Sequence, residues 1–342
     1  MGYSELLKEK SQLLKAKITA VGCYVPPKLL TNLDLERLVN TSDQWIMERT
    51  GIRERHIAEE GMATSDMAIQ AARCALAQRG VNAPEVDTII VCTVTPDMFF
   101  PSTACLVQNG LGATGAWGFD LSAACSGFVY GLTTAAHLVG AGTHKKVLVI
   151  GADTMSRILD YTDRATCVLF GDGAGAMLIE PVEDGEDYGF MDFMGELDGS
   201  GGDALKMPAG GSRMPASRQT VDGRLHFVKQ DGGQVFKYAV RRMHETCRDL
   251  LDRNGLTGED VAVMIPHQAN RRIIIAAAER LGIPLEKVLI NIDRYGNTTA
   301  ATIPLAAREA IQQGLLRKGQ IALLAVVGAG YTVGASIWRW AY

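Results

Sequence analysis

The sequence predicts an α/β fold with a mostly parallel sheet, laid out twice along one chain. Three observations predict it. Short β-branched runs recur, helical patterns of ten or more residues separate them, and a strand–helix unit in the first half returns in the second. Strands that alternate with long helices favour parallel pairing, and runs that are apolar throughout favour a sheet covered on both faces.

The strands read as VDTIIVCTV (86–94), KKVLVIGAD (145–153), TCVLFGDG (166–173), AVMIPH (262–267), KVLINI (287–292) and IALLAVVG (321–328). The helices read as 65–80, 126–142, 235–255, 270–282 and 302–314, each with apolar residues at helical spacing. The repeat runs as follows. Leu111-Gly112 precedes Phe119-Asp120, a turn, a helix and KKVLVIG; Leu281-Gly282 precedes Ile292-Asp293, a turn, a helix and IALLAVVG. Asp120 to Gly151 is 31 residues and Asp293 to Gly328 is 35. Two copies of one unit predict two pseudo-equivalent halves, 17–185 and 186–342, after an N-terminal extension of 1–16. Residues 195–234 are rich in Gly, Ser, Met and Pro and read as a surface excursion, either a plain loop or a wall over a channel.

Composition narrows the function classes. Hydrophobic residues at 47% and charged residues at 21% exclude disorder. A net charge of −4 argues against a nucleic-acid partner, which calls for a basic surplus or face. No apolar run reaches the 18 residues of a membrane span. The charged start, MGYSELLKEKSQLLKAK, lacks the apolar core of a secretion signal, and Leu6 stands where myristoylation wants Ser or Thr. Leu6, Leu7, Leu13 and Leu14 make this segment amphipathic, as in a frayed or packed helix. The seven cysteines are scattered and never spaced CxxC, which excludes a zinc knuckle and suits reduced thiols in a cytoplasmic chain.

One cysteine has a site-like context. Cys125 lies between a strand ending near Leu121 and a helix beginning near Ser126. Helix N-terminal amides there stabilise a thiolate and can donate to an oxyanion, although a core cysteine fits the same pattern. His267 follows Pro266, which cannot donate to a sheet ladder, so the strand stops and the imidazole faces the crevice where α/β ligands sit. The other histidines lie in loops or helix patterns. Asn297 stands four residues after Asp293, as Cys125 stands five after Asp120, so the pseudo-two-fold brings the two turns face to face. A thiol, an imidazole and an amide then share one pocket, with neutral donors for an oxyanion or enolate. Asn297 alone also suits a turn after Gly296. The Ala329 N–H, in Gly328-Ala329-Gly330, is a candidate second oxyanion donor beside that of Cys125, or part of a tight turn.

Thr41 to Gly51 reads as a short helix with a Thr41/Gln44 capping box and Gly51 as its stop. Trp45 and Arg49 share one face of it, fit to stack a base and neutralise phosphate, or to be a plain surface pair. FGDGAGA (170–176) superficially matches a dinucleotide fingerprint but lies between two strand patterns, so it reads as a tight glycine hairpin. Serine-elbow, HExxH and P-loop patterns are absent from the sequence.

Together TSDQWIMERTGIRERH (41–56), DLSAACSGF (120–128), FGDGAGA (170–176), PHQANRR (266–272) and DRYGNTTAA (293–301) resemble the thiolase superfamily, within it the β-ketoacyl-acyl-carrier-protein synthase III family. The resemblance spans about residues 17–342. It implies a thiolase-like five-layered α-β-α-β-α fold of two pseudo-repeated halves, and a homodimer. It implies a Cys–His–Asn triad of Cys125, His267 and Asn297, an oxyanion hole of the Cys125 and Ala329 amides, and no metal or redox cofactor. Acyl-CoA would acylate Cys125, and malonyl-acyl-carrier protein would supply the condensing carbanion by decarboxylation. By motif, Trp45 and Arg164 would sandwich the adenine of CoA, with Arg49 near its phosphates. Thr41, Gly232 and Phe236 would line the pantetheine tunnel, and Ala269 would also bind CoA. Lys237, Gln268, Ala269, Asn270, Arg271, Arg272 and Arg280 would meet the acidic carrier protein. Phe100 would reach the partner's acyl pocket. The chain departs from the family pattern at Val327, where Phe is usual, and at Val333, where Trp is usual; both reduce bulk near the acyl end.

Overall fold

The computed structural model describes residues 16–342. The amphipathic leucines of the N-terminal segment lie outside them. Ala16 does not belong to an extension, since it opens the first strand and is fully buried.

Among the described residues thirteen strands form in chain order. They are β1 (Ala16–Tyr24), β2 (Leu29–Thr31), β3 (Glu54–His56), β4 (Thr88–Cys92), β5 (Trp117–Leu121), β6 (Val147–Asp153) and β7 (Gly173–Pro181), then β8 (Gly189–Leu197), β9 (Leu205–Lys206), β10 (Lys229–Gln230), β11 (Val263–Pro266), β12 (Ile321–Gly328) and β13 (Thr332–Arg339). The first large sheet has the order β1-β7-β6-β4-β5, the second β8-β13-β12-β11. Val288 adds one parallel bridge to Met264 at the β11 edge, where a fifth strand would lie. The two orders match strand for strand, so the duplication is visible in topology. The sheets are mixed rather than mostly parallel: β4–β5, β4–β6 and β11–β12 are parallel, while β1–β7, β6–β7, β12–β13 and β8–β13 are antiparallel. The sequence pattern emphasised the helix-linked central strands, and helix-linked strands pair in parallel.

Five layers follow from which faces are apolar. Helices Gly127–Gly140 and Thr302–Gln312 lie between the sheets, where Phe128, Leu132, Ile303 and Ala307 pack with Ile90, Ile179, Ile265 and Leu324 in one core. Helices Thr64–Arg79 and Thr103–Leu111 cover the outer face of the first sheet. Helices Gly232–Arg253 and Arg271–Arg280 cover that of the second. Arg271–Arg280 buries Ile273, Ile274, Ala277 and Ala278 at helical spacing and exposes its arginines.

Four local readings change. Residues 164–167 form a helical turn capped by the Asp163 carboxylate, which accepts from Ala165 N–H, so TCVLF is not a strand. FGDGAGA therefore enters β7 from that turn and is no hairpin, and the antiparallel strand after it cannot serve a dinucleotide phosphate. The stretch 287–292 is strand only at the Val288 bridge, because Gln268 Oε1 takes the N–H groups of Asn291 and Ile292 that a ladder would use. Residues 195–234 are largely ordered: β8 runs to Leu197, β9 pairs with β10, and Arg218–Asp222 is helical.

Candidate active site

Cys125 sits on a sharp elbow. β5 ends at Leu121, Ala124 takes a left-handed φ of 46°, and the turn Ala124–Ser126 runs into the helix Gly127–Gly140. The second half holds the elbow from outside: Thr332 Oγ1 lies 3.0 Å from both the Ala123 carbonyl and Ser126 Oγ. An ideal Cβ on Gly328 would lie 2.9 Å from the Cys125 amide nitrogen and 3.1 Å from that of Ser126. Only glycine at 328 leaves room for a strand end to pass this close to the elbow. Burial pushes the Cys125 thiol up to about 12, the Asp153 carboxylate adds to the rise, and Cys125's own N–H opposes it weakly. The resting sulfur is thus a thiol. The thiolate expected from the helix N-terminus needs a base to take its proton.

A candidate for that base shares a cavity with Cys125. His267 follows β11 at Pro266 and is almost fully buried. Its Nδ1 lies 2.7 Å from Thr302 Oγ1, and the Thr302 hydroxyl donates to the Thr299 carbonyl at 3.0 Å. One hydroxyl proton serves one acceptor, so Thr302 Oγ1 accepts from Nδ1–H. Nε2 is left as a buried lone pair without a partner. Burial lowers the imidazole to about 3, so it is neutral at physiological pH. Asn297 Oδ1 accepts from Thr299 N–H at 2.9 Å, which commits the oxygen and leaves the amide NH2 for the cavity.

Cys125, His267 and Asn297 line one cavity of about 440 Å3, within the range of small-molecule sites. Trp45, Arg49, Gly232, Phe236, Lys237, Ala269, Asn270, Arg272 and Val327 line it as well. Leu205 and Gln230 come from the 195–234 segment, which therefore forms part of the wall. Gly328 reaches the lining and Ala329 follows it at the end of β12.

The turns of the two halves meet in a different register from the one expected. Thr299, at φ 49°, matches Ala124, and Thr299–Ala301 matches Ala124–Ser126, so Ala300 and not Asn297 is the counterpart of Cys125. The helix at the mouth is capped by Ser42, whose Oγ accepts from Trp45 N–H at 3.1 Å, rather than by Thr41. Gly51 ends it at φ 82°, as expected. Thr41 and Arg164 are not in the lining; Arg164 instead lies 4.7 Å above the Trp45 ring, closing the slot expected for adenine. Lys237, Arg271, Arg272 and Arg280 are exposed around this face, and Arg272 covers the Phe236 ring at 5.2 Å. Gln268 cannot meet a partner: its side chain is buried, donating to the Pro266 and Leu289 carbonyls and accepting from Asn291 and Ile292. Val333 pairs with Val327 across β12–β13 but is fully buried in the outer core, so it does not shape the cavity. Phe100 is 85% exposed and touches no part of this cavity.

Asp153, Thr299 and Thr302 escaped sequence reasoning. Asp153 is a strand-end carboxylate from the other half, and Thr299 and Thr302 follow Asn297 in a run of small residues. Thr302 stands one helical turn beyond Thr299, a spacing visible in the sequence once Asn297 is singled out.

Comparison with known proteins agrees with the geometry. A profile for 3-Oxoacyl-[acyl-carrier-protein (ACP)] synthase III matches residues 119–199, and one for the C-terminal part of that family matches 251–340. A protein of Solibacter usitatus named β-ketoacyl-[acyl-carrier-protein] synthase III is 73% identical over 329 residues, covering 96% of this chain and 99% of that protein. A protein of the same name from Koribacter versatilis is 60% identical, covering 96% of this chain and 98% of its own length. The crystal structure of 3-oxoacyl-[acyl-carrier-protein] synthase III from Aquifex aeolicus, 45% identical, superposes with a TM-score of 0.87, covering 95% of this chain and all of that one. With the same fold, nearly full coverage on both sides and a buried thiol, imidazole and amide in one cavity, this chain belongs to the β-ketoacyl-acyl-carrier-protein synthase III family of acyl-transferring condensing enzymes.

Proposed function

We propose that this chain joins an acyl-CoA primer to malonyl-acyl-carrier protein, releasing CO2, and so starts type II fatty-acid synthesis. The observation that carries this is the neutral Cys125 thiol in one cavity with an imidazole whose only unpartnered nitrogen is Nε2.

His267 Nε2 takes the Cys125 proton as sulfur attacks the acyl-CoA carbonyl. The C–S bond to CoA breaks, and the proton passes to the departing CoA thiolate. The malonyl thioester then enters. Its C–CO2 bond breaks, and the electron pair becomes an enolate whose oxygen accepts from the Asn297 amide and from His267 Nε2–H. Before this step the imidazole loses its proton at Nδ1 and gains one at Nε2 by exchange with solvent, and the Thr302 hydroxyl turns from the Thr299 carbonyl to donate to Nδ1. The carbanion attacks the acyl-Cys125 carbonyl, the Cys125 and Ala329 amides hold the oxyanion, and the Cys125 thiolate leaves and takes a proton from solvent.

Trp45, Arg49 and Arg164 bind CoA in this reading, with Arg164 swinging off the indole to admit adenine. Gly232, Phe236 and Ala269 line the passage for pantetheine. Lys237, Asn270, Arg271, Arg272 and Arg280 offer local positive charge to an acidic carrier protein despite the net charge of −4. The reading includes a cytoplasmic homodimer, with Phe100 entering the partner's acyl pocket, and no metal or redox cofactor. It divides the described residues into halves 16–185 and 186–342. Among the described residues no helix is long and apolar enough to cross a membrane.

The test is a condensation assay with acyl-CoA and malonyl-acyl-carrier protein, followed by mass spectrometry of the intact enzyme. An acyl adduct on Cys125 and a 3-oxoacyl product are expected. An acylated Cys125 with no 3-oxoacyl product would overturn the condensing role.

A further inference from the structure

Thr299 is the one described residue that connects to both groups facing the nucleophile. Its N–H donates to Asn297 Oδ1 at 2.9 Å. Its carbonyl accepts the Thr302 hydroxyl at 3.0 Å, and Thr302 Oγ1 holds His267 Nδ1 at 2.7 Å. Its own hydroxyl donates to Asp153 Oδ2. One residue thus uses its amide, carbonyl and side chain in three directions, and two of them end on Asn297 and His267.

The backbone that makes this possible is unfavourable. A φ of 49° is a genuine outlier for a β-branched residue. Something must hold it there, and the contact comes from the other half of the fold. Asp153, at the end of β6, is fully buried. Its Oδ1 accepts from Thr93 Oγ1 (3.0 Å), Val94 N–H (2.8 Å), Thr95 N–H (3.2 Å) and Thr95 Oγ1 (2.9 Å). Its Oδ2 accepts from Thr299 Oγ1 and from Ala300 N–H at 3.3 Å. A buried carboxylate is tolerated when its lone pairs are filled, and here the donors come from both halves. Gly151 permits the approach, because a Cβ there would lie 2.5 Å from the Ala300 carbonyl oxygen.

We propose that Thr299, locked by Asp153, is a positioning residue that holds the Asn297 amide for malonyl decarboxylation and, through Thr302, the His267 imidazole for acylation of Cys125. Neither residue lines the cavity, so neither touches substrate. The lock fixes the amide direction throughout, and it fixes the Nδ1–H tautomer that leaves Nε2 free to take the Cys125 proton. It also makes the site depend on the contact between halves, since the anchor lies in one and the residues it orients lie in the other. This proposal rests on the condensing reaction proposed above.

The experiment measures two half-reactions separately in the full-length enzyme. One is transfer of a labelled acyl group from acyl-CoA to Cys125; the other is CO2 release from malonyl-acyl-carrier protein on enzyme acylated beforehand. Thr299→Val keeps the branched shape and removes the anchor. It is expected to lower decarboxylation kcat about 100-fold, the loss that about 1 Å of misplacement brings, with KM for the malonyl substrate unchanged. Acylation, which needs His267 and not Asn297, should fall about tenfold. Thr299→Ser keeps the hydroxyl and should retain most activity. Wild-type decarboxylation by Thr299→Val, or equal impairment in Thr299→Ser, would overturn the proposal. Should Thr299→Val fail to fold, Thr302→Val carries the test, since it cuts only the arm to His267. Both half-reactions are then expected to fall to a similar degree, and unchanged rates would overturn the proposal. Wild-type enzyme inactive in both half-reactions would instead sink the functional reading.

Discussion

Val327 and Val333 are direct partners across the β12–β13 ladder, yet only Val327 faces the cavity. Adding bulk at the two positions should therefore have unlike effects. Val327→Phe is expected to narrow the acyl end and to lower kcat/KM for long and branched primers at least tenfold relative to acetyl-CoA. Val333→Trp would overpack a filled core and cost about 1–3 kcal/mol of stability, with primer preference unmoved. Competition among primers of graded length, alongside urea unfolding, separates them. A primer shift in the Val333 variant would contradict the assignment.

A thiol held near 12 by burial leaves few thiolates at neutral pH. Alkylation of Cys125 by iodoacetamide is expected to rise about tenfold per pH unit through pH 9, without a plateau. On the proposed mechanism acylation by acyl-CoA draws on His267, so it should vary much less over that range. Peptide mass spectrometry of the Cys125 segment reads both rates. A plateau in alkylation below pH 8 would mean a stable resting thiolate.

His267 links folding to pH. Its folded value, about 3, lies below its ordinary 6.5, so the neutral form is the one that folds. Between these values the unfolded chain binds the extra proton, and stability falls as pH falls, by up to about 1.4 kcal/mol per pH unit. Above 6.5 the contribution is complete and the slope from this group is zero. Urea unfolding of wild type and His267→Asn at pH 7.5, 6.0 and 4.5 should show a shallower acid loss in the variant. Parallel losses would remove His267 from the account.

Gly328→Ala would place a methyl group against the Cys125 amide. If that amide holds the oxyanion, the rate of Cys125 acylation should fall about 100-fold or more while the circular dichroism spectrum stays native. An acylation rate within a factor of three of wild type would exclude this amide from the chemistry.

The sequence disclosed the parts of the fold that periodicity encodes. The long helices and the central strands β4, β6, β11 and β12 were legible because their apolar spacing is unbroken. The antiparallel partners β1, β8 and β13 were not, because pairing direction is decided by where the chain returns and not by local spacing. Cys125, His267 and Asn297 stood out by residue type and position at element ends. Gln268 misled because Arg271 and Arg272 of PHQANRR are exposed while it turns inward to cap backbone groups of 291–292. Asp153 and Thr299 were illegible for a simpler reason: 146 residues separate them, and only the packing of the two sheets brings them together.

The order of the site residues along the chain also bears on synthesis. Every group that would act on Cys125, namely His267, Asn297 and the Gly328-Ala329 turn, lies more than 140 residues nearer the C-terminus. A growing chain that has completed only its first sheet carries the sulfur without a base or an amide to oppose it. On the proposed mechanism the chemistry is then silent in the nascent polypeptide until the last strands dock.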